Sequence, residues 1–364
     1  MKRLVKKSIE QLVPYPPGKP IEELARELNI NKNFIIKLAS NENPLGPSPK
    51  AIEAIKEKLS ELHRYPDGSS FYLRKKLADK TGISINQIII GNGSNELIEL
   101  IVKAFLSPNE EVIQAFPTFL VYEKIVNIAG ARLISVPLKE FKIDLNAIYN
   151  SITPKTKIIF LNNPNNPTGQ AIEKEELKDF LVSIPQDIIV VLDEAYIEFA
   201  RENDKIAEGL ELLGTYPLLF VMRTFSKAYG LAGLRIGYGF GSEELIDYMN
   251  RVRQPFNVNS LAQIAAVAAL DDEEFIKKTV SVVNQGKKYL YTELDKLGLK
   301  YIPSVTNFFL IKVPGNAKDI YERLLRKGII VRSMEAYNLP EYIRITVGLM
   351  EENKRFISAL KEIL

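Results

Sequence analysis

Residues 157–196 read KIIFLNNPNNPTGQAIEKEELKDFLVSIPQDIIVVLDEAY. The apolar run Lys157–Leu161 ends in a loop of Asn, Pro and Gly. A stretch of helical periodicity follows, and a second apolar run, Ile188–Leu192, closes on Asp193 and Glu194. Runs this short and apolar at nearly every position fit strands covered on both faces, and the helical spacer fits a parallel crossover. Outward from here the alternation recurs at Ile88–Ile90, Glu111–Ala115, Arg132–Val136, Leu218–Met222 and Arg235–Phe240. Seven strands predict an α/β fold: a three-layer αβα large domain with a mostly parallel seven-stranded sheet. Beyond it, helical stretches at Leu261–Leu270 and Glu274–Leu297 precede strand candidates Phe308–Val313, Ile329–Arg332 and Tyr342–Val347, a smaller α+β domain. The expected division is 1–38 as an N-terminal arm with part of the small domain, 39–255 as the large domain and 256–364 as the small domain. Ile21–Leu28 has helical periodicity within the arm, and Ala39–Pro47 is all turn formers and polar groups.

Composition narrows the chemistry. The 364 residues carry 48 Lys and Arg against 45 Asp and Glu, one His, no Cys and no Trp. A net charge of +3 is nearly neutral and argues against a nucleic-acid binder driven by a basic field. Without Cys there are no thiolate metal sites or Cys nucleophiles, and a single His63 excludes a multi-histidine metal cage. No metal site is expected. The start lacks an apolar leader and no apolar run approaches the ~18 residues of a membrane span, so a cytoplasmic protein is expected, away from membranes. Acid–base work must fall to Lys, Tyr, Asp, Glu or a cofactor.

Ligands of open parallel sheets sit beyond the carboxyl ends of the strands, and the residues there are chemically marked. After Ile88–Ile90 come Gly91-Asn92-Gly93-Ser94-Asn95-Glu96, which reads either as a capped turn or as a helix N-terminus for one phosphate. Glu96 stands where a dinucleotide fingerprint wants Gly, which disfavours a NAD dehydrogenase. Phe119 follows the next strand, placed to stack on a planar ring or simply to fill core. Asp193 closes a buried strand, where a carboxylate needs a cap, an ion pair or a cationic ligand. Lys227, in Arg223-Thr224-Phe225-Ser226-Lys227-Ala228-Tyr229-Gly230, has no acid within eight residues on either side. Burial without an acidic partner lowers a lysine's pKa and frees its amine as a nucleophile. Thr224, Ser226 and Arg235 can ring one phosphate. A nucleophilic Lys, a strand-end Asp, a nearby Tyr196, an aromatic and one phosphate cup are the equipment for pyridoxal phosphate.

The runs NPNNPTG, DEAY and TFSKAYGLAGLRIGYG resemble the fold-type-I pyridoxal-phosphate aminotransferases, in the same order and over nearly the whole chain. Within them LVPYPPGKP, LASNENPLGPSP, HRYPDGSSFYLR, GNGSNELIEL, FNVNSLAQ and GIIVRSMEAYNLPEYIRITVG resemble the histidinol-phosphate aminotransferase branch. The resemblance implies that Lys227 bonds the cofactor, that Asp193 pairs with its ring nitrogen, and that Tyr196 and Asn166 hold its 3-oxygen. Phe119 stands where the family usually stacks a Tyr. Ser94, Asn95, Thr224, Ser226 and Arg235 match the phosphate cup, and Tyr65 matches a residue that reaches it from a neighbouring subunit, implying a homodimer with shared active sites. Arg344 matches the carboxylate-binding arginine; Arg332 and Tyr15 match positions near the substrate's phosphate, and Asn41 and Asn43 are expected at the same mouth.

The reaction implied is transamination of histidinol phosphate with 2-oxoglutarate, giving imidazole acetol phosphate and glutamate, in histidine biosynthesis. An aromatic amino-acid aminotransferase, or an enzyme with both activities, is the first alternative, and a threonine-phosphate decarboxylase the next. A cofactor-sensing transcription regulator is a further alternative. It is disfavoured because about 40 residues before the core are too few for a winged helix. His63 has no matched role and is expected at the surface or an interface.

Overall fold

The computed structural model describes residues 4–10, 12–14 and 18–364. Tyr15 lies outside the described residues. A short strand β1 (Ile36–Lys37) follows the helix Ile21–Leu28. The large sheet contains β2 (Ile88–Gly91), β3 (Glu111–Phe116), β4 (Arg132–Pro137), β5 (Thr156–Asn162), β6 (Ile189–Asp193), β7 (Leu219–Thr224) and β8 (Gly237–Phe240). Its order is β2-β8-β7-β6-β5-β3-β4, and β8 alone runs antiparallel to its neighbours. The expected sheet is therefore present, with one strand reversed.

Side chains alternate across the pleat and sort into two cores. Val190 and Leu192 face Leu177 and Leu181 of the helix Lys174–Ser183. Ile189 and Val191 face Leu97 and Ile101 of the helix Ser94–Phe105, with Tyr122, Val126 and Met249. Covering both faces is what makes these strands apolar at every position. The expected strand at 235–240 starts two residues late. Arg235 has φ 58°, in the left-handed region, and this turn takes it out of the strand and toward the sheet's open end.

The smaller unit is built on β9 (Tyr301–Ile302), β10 (Phe308–Lys312), β11 (Ile329–Ile330), β12 (Arg332–Ser333) and β13 (Tyr342–Thr346). β12, β13, β10 and β9 form one sheet in that order, and β1 pairs in parallel with β11, so the N-terminal segment joins this unit. Phe308, Ile343 and Ile345 pack on Val283 and Leu290 of the long helix Glu273–Lys296. The helix Ser260–Leu270 instead packs against Ala51, Leu73 and Leu77 of the large unit. We place the passage between the units in the helix Glu273–Lys296 rather than at residue 255. Among the described residues no helix is long and apolar enough to cross a membrane.

The loop after β7 closes against the turn at Gly46. Gly230 has φ +71°, and a Cβ there would lie 2.0 Å from the Gly46 carbonyl oxygen. Only glycine fits both the dihedral and the approach. Gly230→Ala is expected to cost about 2 kcal/mol or more, measured as a lower urea midpoint; an unchanged midpoint would refute this reading of the turn.

Candidate active site

Asn162, Asp193 and Met222 are direct neighbours across β5, β6 and β7, and Gly91 and Thr224 both pair with Gly237. The strand ends thus place a carboxylate at mid-sheet and glycines and a hydroxyl at one side. They open on a cavity of about 320 Å³ lined by Ser94, Asn95, Phe119, Asn166, Asp193, Tyr196, Thr224, Ser226, Lys227, Arg235, Arg332 and Arg344. The sequence assigned these twelve to the site and expected Asn41 at its mouth, where it also lines the cavity; Ser40 and Glu42, which line it too, were not assigned. Tyr65 is not among the lining residues: it is 83% exposed and stacks on Phe256, with centroids 4.8 Å apart.

Asp193 is buried; its Oδ2 accepts from Tyr122 Oη at 2.5 Å and its Oδ1 from the Ala195 amide at 3.1 Å. Burial pushes its carboxyl up to about 6, although the two hydrogen bonds and Lys227 oppose the rise. The adjacent Glu194 points to the other face of the strand and spends its charge on Arg223, whose Nε donates to it at 2.8 Å. Arg223 also donates to Glu208 at 2.7 Å. The ion-pair role that the sequence left open for this acidic pair therefore falls to Glu194, and Asp193 is left to the cavity.

Lys227 is half-buried, and its Nζ donates to the Ser40 carbonyl at 3.0 Å. Burial, and secondly the Arg344 charge, lower its pKa to about 8, so a substantial fraction is neutral amine near that pH. Arg344 is held by Asn166 Oδ1 at 2.5 Å and the Ala39 carbonyl at 2.8 Å, while its buried Nε has no partner among the described residues. A preset guanidinium with a spare donor suits an anion. Arg332 pairs with Arg344 in register across β12 and β13, so two cations stand side by side.

The cup beside Ser94 is built for close approach. A Cβ on Gly93 would lie 2.6 Å from Arg235 Nη2, and one on Gly237 2.6 Å from the Ser94 amide nitrogen. Ser94 opens its helix with no side-chain cap bond from Gly93, and Thr224, Ser226 and Arg235 line the cavity beside it. Glu96 does not oppose an anion there, because it turns back to accept from the Asn92 amide and from Asn257. Phe119 lies at the mouth, edge-on to Tyr122 at 5.6 Å.

The family model "Aminotransferase class I and II" matches residues 34–360. The chain belongs to the class I and II aminotransferases. It is 50% identical to the histidinol-phosphate aminotransferase of Desulfotalea psychrophila over 363 residues, 99% of this chain and 95% of that one. It is 48% identical to histidinol-phosphate aminotransferase 2 of Carboxydothermus hydrogenoformans, over 99% of each. Among solved structures, the histidinol-phosphate aminotransferase from Sinorhizobium meliloti in complex with pyridoxal-5'-phosphate superposes with a TM-score of 0.90 at 28% identity, covering 99% of this chain and 97% of that one.

A further residue of this aminotransferase departs from expectation. Asn43 does not line the cavity; its amide donates to the Ala228 carbonyl at 2.8 Å and to Thr279 at 3.0 Å, bracing the lysine loop from behind. Of the three Asn in the NPNNPTG loop, Asn163 and Asn165 brace the loop itself through Ala207, Ile172, Pro117 and Thr118. Tyr122 was missed: the only signal was a polar-tipped aromatic on an otherwise apolar helix face. His63 is exposed, as expected.

Asp193 sets a pH prediction. Its folded-state pKa lies above the ordinary 3.8, so its contribution favours the fold below about pH 4 and is lost as pH rises through about 6. The full difference is roughly 3 kcal/mol. Cofactor-free Asp193→Asn is expected to be ~1–3 kcal/mol more stable than wild type at pH 8 and no more stable at pH 4, by urea unfolding at each pH. Equal stability at pH 8 would contradict the assignment.

Proposed function

We propose that this aminotransferase converts histidinol phosphate and 2-oxoglutarate to imidazole acetol phosphate and glutamate. The observation that carries the proposal is a single cavity holding a lysine whose amine rests on a main-chain carbonyl, a buried strand-end carboxylate and two adjacent guanidiniums. The cofactor is pyridoxal phosphate, and the residues fit it: a glycine-lined cup for its phosphate, Asp193 for its ring nitrogen, Tyr196 and Asn166 for its 3-oxygen, Phe119 against its ring, and Lys227 to bond it. When bound, it supplies the electron sink that lets the carbon–hydrogen bond beside the amine ionise.

The chain's own groups supply the rest. Lys227 Nζ, neutral in good part near pH 8, takes the proton from the substrate's amine-bearing carbon and returns it one position away. The Ser40 carbonyl gives that amine a fixed resting place. Asp193 keeps a proton on the ring nitrogen, which a carboxylate in a buried setting does strongly. Arg344 and Arg332 take the phosphate of one substrate and the carboxylates of the other, which explains how one mouth serves both halves of a ping-pong cycle. Tyr15 is assigned beside that phosphate.

Tyr65 serves a partner's phosphate cup in a homodimer with shared sites. Its exposure, and a surface groove that it lines with Tyr72, Ile264 and Val267, support this. Phosphorylated substrates do not cross membranes unaided, so the reaction is placed in the cytoplasm.

A substrate panel tests the reading. With 2-oxoglutarate as acceptor, kcat/KM for histidinol phosphate is expected to exceed that for Phe, Tyr and threonine phosphate by at least about tenfold. A value for Phe equal to that for histidinol phosphate would favour the aromatic enzyme. Lys227→Ala is expected to lose at least about 10³-fold in turnover, and retained transamination would overturn the mechanism.

A further inference from the structure

Asn41 is 2% exposed, sits in the left-handed region at φ 55°, and makes hydrogen bonds through every polar group it has. Its amide N–H donates to Thr346 Oγ1 at 2.9 Å, and Thr346 Oγ1 donates back to Asn41 Oδ1 at 3.1 Å. Its Nδ2 donates to Tyr196 Oη at 2.9 Å, and its carbonyl accepts from Asn307 Nδ2 at 3.1 Å.

The directions in this chain are forced. A main-chain N–H can only donate, so it occupies a lone pair of the Thr346 hydroxyl and leaves that proton for Asn41 Oδ1. With Oδ1 thus turned to Thr346, the amide nitrogen must face Tyr196. A phenol has one proton. Tyr196 Oη already accepts from Asn41, and from Asn166 Nδ2 at 3.5 Å, so its own proton has only the cavity to point into.

We propose that Asn41, oriented by Thr346, is a positioning residue that fixes the Tyr196 hydroxyl as a donor toward the cofactor's 3-oxygen. This rests on the cofactor reading given above. Asn41 bonds nothing that reacts; it acts through Tyr196. The other charged or titratable groups bearing on the phenol are Arg344, Asp193 and Tyr337, with Lys227 Nζ 5.8 Å from its ring. A hydroxyl donating to the 3-oxygen stabilises negative charge there and thereby lowers the pH at which the cofactor-bound lysine nitrogen loses its proton.

The test is the pH midpoint of the visible absorption of the cofactor-loaded protein. Asn41→Asp keeps the shape and tolerates the left-handed backbone, but it presents an acceptor to Tyr196 and draws the phenol's proton away from the cavity. Its midpoint is expected to rise by about one pH unit. Thr346→Val removes the orienting hydroxyl and is expected to raise the midpoint by a smaller amount, whereas Thr346→Ser restores it. In a Tyr196→Phe background neither substitution should move the midpoint further, since the groups act in series. Unchanged midpoints in Asn41→Asp and Thr346→Val, or shifts that persist without the Tyr196 hydroxyl, would overturn the proposal. A wild-type protein with no pH-dependent visible band that is lost in Lys227→Ala would overturn the cofactor reading instead.

Discussion

A carboxylate at the end of a fully buried strand must be compensated, and in this chain the compensation organises the site. Asp193 could be buried because Tyr122 and the Ala195 amide bond its two oxygens, and because Lys227 stands across the cavity. The neighbouring Glu194 would be a second uncompensated charge. The pleat sends it to the opposite face, where Arg223 and Glu208 complete a buried ion-pair network. Two consecutive acids thus take unrelated tasks because β-strands alternate.

The remaining cations follow from that arrangement. A lysine with a carboxylate at contact distance would stay protonated and inert. Lys227 Nζ instead donates to the Ser40 carbonyl, and burial and the Arg344 charge outweigh the opposing pull of Glu42, so its amine is the weakest-held proton of the group. The Arg344 guanidinium is preset by Asn166 and by the Ala39 carbonyl. Carbonyls and amides orient a cation without cancelling its charge, so the charge stays available to an incoming anion.

Much of this was legible in the sequence, for identifiable reasons. Strands buried on both faces advertise themselves as apolar runs, and the chemistry of a parallel sheet collects at strand ends, so Asp193, Thr224 and Lys227 could be read from position alone. What failed depended on partners distant in the chain. Asn43 sits two residues from Asn41 in the same polar loop, yet one faces Tyr196 and the other Ala228 and Thr279. The role of Tyr122 exists only through an Asp 71 residues away. Arg235 looked like strand because its neighbours are apolar and glycine-rich; only its positive φ takes it out. Periodicity records burial, and it does not record which of several buried amides meets which hydroxyl.

Three consecutive carbonyls, those of Ala39, Ser40 and Asn41, accept from Arg344, Lys227 and Asn307. The first and last of these donors belong to the smaller unit, and Ala39 and Arg344 are 305 residues apart. On a ribosome the chain's opening stretch is therefore made long before the groups that fix it. The large sheet can complete itself from residues 88–240, but its mouth stays unfinished until β13 has emerged. Contacts of such separation close late in folding. A fragment that stops before β13 would carry the lysine and the aspartate, but neither the guanidinium of Arg344 nor the Thr346 hydroxyl that bond the Ala39–Asn41 stretch.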